Sequence, residues 1–95
     1  MLCFSPTTAS ITKIYLFVDC IANVTEIGHK RHFPVGHLVP FVDNLGECIE
    51  ACVDSADCVA IDYIDKFCFE NLKEDYNETS LVDAENAVHY YIGTC

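Results

Sequence analysis

The chain has 95 residues, seven of them cysteine, and a formal net charge of −10. A chain this short buries too little surface for a robust core without reinforcement, which cysteines can supply, and its 52% hydrophobic content excludes a disordered polymer. The charge is uneven: residues 1–42 carry Asp19 and Glu26 against Lys13, Lys30 and Arg31, a net of +1, while residues 43–95 carry thirteen acids against Lys66 and Lys73, a net of −11. Such an acidic surface repels phosphate, so no nucleic-acid partner is expected.

In chain order, residues 1–13 read as a loose leader and residues 14–95 as one folded domain. The apolar run Ile14 to Val18 reads as a first strand. It is too short to span a bilayer, so no membrane insertion by this segment is expected. No small-residue cleavage site precedes Cys20, and the start reads as that of a domain cut from a longer protein or a mis-started gene model. Asn23-Val24-Thr25 and Asn77-Glu78-Thr79 are glycosylation sequons, which with dense cysteine point to an extracellular setting, secreted or in an ectodomain. Gly28 to His32, "GHKRH", reads as a solvated loop. Phe33 to Val42 is extended and apolar, but Pro34 and Pro40 confine it to an edge or to irregular structure.

Asn44 is a good N-cap with Glu47 three residues on, which predicts a helix from Leu45 to about Asp54. Cys48, Ile49 and Cys52 then share or adjoin its buried face. Cys58 to Ile64 alternates, Val59, Ile61 and Tyr63 against Cys58, Ala60 and Asp62, as a strand does. Asp65-Lys66 is a two-residue turn and Phe67 to Glu70 the returning strand. Residues 71–86 are acidic and polar and read as a surface loop. Ala87 to Ile92 is the last strand, with Val88, Tyr90 and Ile92 inward and His89 and Tyr91 outward. Tyr15, Phe17, Phe33, Phe41, Phe67 and Phe69 are assigned to the core.

The cysteines can serve a metal, redox chemistry or stapling. From Cys48 the gaps are three, five and nine residues, which do not match paired zinc knuckles, and no Cys-x-x-Cys suits redox catalysis. Stapling fits. Six cysteines still allow 15 pairings, and spacing does not choose among them. No Gly-x-Ser-x-Gly, His-Glu-x-x-His or phosphate-binding glycine loop is present, so neither an enzyme nor a cofactor is expected. His29, His32 and His37 are spaced for no common strand or helix face, and no metal site is assigned to them. The acids read as a solvated face.

The order Cys20, "CIEAC" at Cys48 and Cys52, "CVAIDY" from Cys58 to Tyr63, "FCFEN" around Cys68 and "VHYYIGTC" ending at Cys95 resembles the PAN/apple domain family. The likeness runs from Cys20 to Cys95; Cys3 has no counterpart in it. It implies an α+β fold, an antiparallel sheet of about five strands packed against a single helix. It also implies nested disulfides Cys20 with Cys95, Cys48 with Cys68 and Cys52 with Cys58, leaving Cys3 a free thiol.

The resemblance further implies a non-enzymatic extracellular recognition module that binds a protein, the favoured partner, or a glycan, as part of a larger adhesive or modular protein. Binding candidates are His29, Lys30, Arg31 and His32 in the basic loop, and His89 and Tyr91 on the last strand. Asn23 and Asn77 are the glycosylation candidates. The alternatives are a free-standing secreted disulfide-rich effector or inhibitor, and a matrix protein assembling through Cys3.

Overall fold

A computed structural model describes residues 10–17 and 20–93. The fold of the described residues is α+β: six antiparallel strands, one α-helix and a short 3-10 turn at Glu78–Ser80. The strands are β1 (Ser10–Phe17), β2 (Cys20–His32), β3 (His37–Val39), β4 (Cys58–Ile64), β5 (Phe67–Leu72) and β6 (Leu81–Ile92), and the helix is α1 (Leu45–Asp54). They form a single sheet in the order β1-β2-β6-β4-β5-β3.

Local chemistry accounts for the central elements. The Asn44 side chain accepts the Glu47 backbone N–H at 2.9 Å, and Glu47 reaches back to the Asp43 N–H at 2.8 Å. Two orphan donors at the helix start are thereby satisfied. Asp65 and Lys66 close the β4–β5 hairpin with φ of 50° and 72°, the left-handed pair whose twist suits a two-residue hairpin turn. Gly36 lets the chain come down onto β5, because a Cβ there would stand 2.1 Å from the Glu70 carbonyl oxygen. Beyond it β3 pairs with β5 as an edge strand.

The helix packs on one face of the sheet, and the core lies between them. Cys48, Ile49 and Cys52 from α1 meet Ala22 and Val24 of β2, Ile61 of β4, Cys68 of β5, and Tyr90 and Ile92 of β6. Two disulfides cross this layer: Cys48–Cys68, with Cα atoms 5.7 Å apart, and Cys52–Cys58, at 5.1 Å. Both tie one helix face to the β4–β5 hairpin. Cys20 is also disulfide-bonded. Cys95 and Cys3 lie outside the described residues, so the expectations placed on them do too.

Several sequence expectations are corrected. The sheet has six strands rather than about five, because Cys20 to His32 is one long strand that takes in the supposed loop Gly28 to His32. A bulge between Gly28 and Lys30, with His29 at φ 59°, allows the polar stretch to stay paired with β6. The first strand begins at Ser10, inside the expected leader, since every residue from Ser10 to Phe17 pairs with β2; Val18 lies outside the described residues.

The expected loop 71–86 is partly strand. β5 runs on to Leu72 and β6 starts at Leu81. Residues Leu81 to Asp83 pair only with β2, beyond the end of β4. Phe33, Phe41 and Phe67 are 58%, 97% and 59% exposed, not core, because they sit on the β3 connections and at the hairpin corner where no layer covers them.

Removing each staple as a pair separates their contributions. On the loop-closure model, Cys48→Ala with Cys68→Ala costs about 3 kcal/mol and Cys52→Ala with Cys58→Ala about 2 kcal/mol, as read from urea unfolding midpoints. Lys66→Gly relieves the left-handed conformation and raises stability by roughly 0.5 kcal/mol in the same assay.

Candidate functional site

The face of the sheet away from the helix has a polar centre. Asp62 on β4 and His89 on β6 are paired in register and both fully buried. His89 Nδ1 lies 2.7 Å from Asp62 Oδ1. The Asn71 amide donates to Asp62 Oδ2 at 2.9 Å, and the His32 backbone N–H donates to both carboxyl oxygens at 3.2 Å. Four strands therefore converge on one carboxylate: β2, β4, β5 and β6.

Residues 73–80 cover this centre. Tyr76 lies against both histidine rings, its centroid 5.0 Å from that of His32 and 5.6 Å from that of His89. Its hydroxyl is 2.9 Å from His89 Nε2. With the Asp62 carboxylate as acceptor, His89 donates from Nδ1, and Nε2 accepts a hydrogen bond from the phenol O–H. His32 is fixed similarly: the Asn77 N–H donates to Nε2 at 3.0 Å, and Nδ1–H donates to the Pro34 carbonyl at 3.0 Å. Both rings are occupied at both nitrogens.

Asp62, His89 and Tyr76 form one hydrogen-bonded chain. Burial, and then the charges of Glu78, Asp62 and Tyr91, push the Tyr76 phenol up to about 12. The arrangement clamps the covering segment onto the sheet.

The sequence-derived binding candidates scatter. His32 is 2% exposed and His89 fully buried, so neither is a surface contact; β6 alternation does turn His89 away from the helix, but residues 73–80 lie over it. Lys30 is paired with Asp83 at 2.5 Å. The Arg31 guanidinium donates to the His32 carbonyl and lies 5.7 Å from the Phe33 ring centre. The basic cluster is thus engaged within the domain instead of forming a free loop. His29 stays exposed, with Nδ1 3.1 Å from the Glu85 carbonyl. Tyr91 is 43% exposed and tilts against Tyr76, their centroids 5.9 Å apart. With Thr25, Ile27 and Glu78 it lines a cleft of about 520 Å³.

Sequence reasoning missed Asp62, Asn71 and Tyr76. Composition groups Asp62 with the solvated acids, yet it is buried; its one signal is a lone acid inside the apolar strand "CVAIDYI". Asn71 and Tyr76 lay in a polar tract that gave no comparable sign. Among the described residues, no group of three His, Cys, Asp or Glu side chains is placed to hold a metal ion, and no helix is long and apolar enough to cross a membrane. Comparison with protein-family models, curated proteins and solved structures finds no match to this chain.

Two measurements check this arrangement. Asp62→Ala strands three buried donors and costs about 3 kcal/mol or more in urea unfolding. Because Tyr76 is raised in the folded state, the unfolded chain loses the phenol proton first, near pH 10. Stability is therefore full below pH 10 and falls as pH climbs from about 10 to 12. Tyr76→Phe flattens that fall, leaving a residual slope from Tyr90, which burial also raises.

Proposed function

We propose that the chain is a non-enzymatic extracellular recognition module of the PAN/apple kind, one unit of a larger adhesive or modular protein, and that its partner is a protein. The observation that carries this reading is apolar exposure on the face away from the helix. Leu38 of β3 and Phe67 of β5 are 55% and 59% exposed there, beside the half-buried Phe69 and Ile64. Exposed clusters of this kind serve partner binding more than stability. Tyr91 adds an accessible aromatic on the same face, across the clamped centre.

The disulfides and the exposure of both sequon asparagines, Asn23 and Asn77, agree with an extracellular setting. The cysteine order from Cys20 to Cys95 supports the family reading, and the bonds Cys48–Cys68 and Cys52–Cys58 are its two inner pairs. A sulfated glycan is the weaker partner, since Lys30 and Arg31 are engaged and the net charge is −10.

The test is a screen of the oxidised chain against an array of extracellular protein domains, beside a glycan array at physiological salt. A protein ligand is expected, with affinity lowered at least tenfold by Phe67→Ser with Leu38→Ser, and lowered less by Tyr91→Ala. Lys30→Ala leaves it unchanged. Tight heparin binding would overturn the choice of partner, and catalytic turnover would overturn the reading as a binding module.

A further inference from the structure

We propose that Asn23 carries an N-linked glycan that lies over an apolar patch on the β1–β2 hairpin and keeps that edge of the sheet from self-associating. The inference rests on the extracellular reading above, but not on the identity of any partner.

The patch is set by register. Ile14 is paired with Asn23, and Leu16 with Ile21, across β1 and β2. Paired residues of an antiparallel ladder share a face, as do residues two apart on a strand, so these four side chains form one rectangle. Thr25, the sequon hydroxyl residue, is next on the same face. It pairs with Tyr91, which places the patch on the side away from the helix. Ile14, Leu16 and Ile21 are 65%, 76% and 61% exposed. The Asn23 side chain is exposed among them.

Such a patch is hazardous where it lies. Among the described residues β1 is the outermost strand, so no further strand pairs with its outer edge, beside exposed aliphatic side chains. Edge strands are usually protected by a charge, a proline or a covering segment. The one charge on β1, Lys13, alternates to the helix side and is paired there with Glu26 at 2.9 Å. Among the described residues the patch itself carries no charge. Asn23 supplies its only modifiable group, and the Asn23 backbone is held by the Gly93 N–H at 2.6 Å, which keeps the residue in place.

In the modification, the Asn23 amide nitrogen bonds to the anomeric carbon of an oligosaccharide carried on a polyprenyl diphosphate. The bond from that carbon to the diphosphate oxygen breaks, the lipid diphosphate leaves, and one amide proton is released. Transfer to a nascent chain precedes strand pairing, so burial of the backbone in β2 is no obstacle. Ile14 lies about 5 Å away across the ladder and Ile21 about 7 Å along the strand, within reach of the first two sugar rings. The C–H-rich faces of those rings cover aliphatic side chains as a protein layer would.

The full chain is secreted from a eukaryotic cell line, and glycan occupancy, light scattering and fluorescence of a hydrophobic-surface dye are measured for it and four variants. Asn23 is expected to be occupied and the chain monomeric. Asn23→Gln and Thr25→Ala should raise dye fluorescence several-fold and produce dimers or larger species, while Asn77→Gln should do neither. Adding Leu16→Ser and Ile21→Thr to Asn23→Gln should restore a dye-silent monomer. An unmodified Asn23 beside a modified Asn77 overturns the proposal and leaves the extracellular reading standing; absence of both glycans overturns both. A glycosylated chain that already dimerises, or an Asn23→Gln chain that stays monomeric and dye-silent, overturns the proposed cover.

Discussion

The structure depends on the attachment of a ten-residue helix to a single hairpin. A helix of that length has little stability of its own in water, and its buried face offers chiefly Cys48, Ile49 and Cys52. The two disulfides replace the packing that a larger apolar face would give. They land at the start of β4 and on β5, so the helix and the hairpin form one rigid unit. β6 and β2 then have a fixed surface to pair against, and Tyr90, Ile92, Ala22 and Val24 complete the core on that surface.

Asp62 plays the corresponding part on the opposite face. A carboxylate removed from water needs every acceptor filled, and three donors from three other strands fill it here. The same histidines that contact Asp62 through ring or backbone then hold residues 73–80 through Tyr76 and Asn77. A polar group is thereby used to fix a covering segment that contains few apolar residues. The acidic composition of that segment is compatible with this because its anchors are aromatic stacking and hydrogen bonds, not charge.

The two faces of the sheet therefore differ in kind. The helix side is a stapled apolar core, and the other side is a polar clamp flanked by exposed aliphatic and aromatic residues toward both edges. The basic cluster is engaged within the domain: Lys30 and Arg31 sit on β2, where an acid and a ring already contact them.

What the sequence alone determined lies within a few residues of itself. The Asn44 cap, the bounds of α1, the alternation of β4 and the Asp65-Lys66 turn depend on chemistry between near neighbours, and each was legible there. The role of Asp62 was not, because its partners His32 and His89 stand 30 and 27 residues away in the chain. An acid on a strand looks the same whether it faces solvent or a buried histidine. Likewise Phe67 reads as core by composition, and only the absence of a covering layer at the hairpin corner leaves it exposed. Burial is a property of what packs against a residue, and for these side chains strand order decided it.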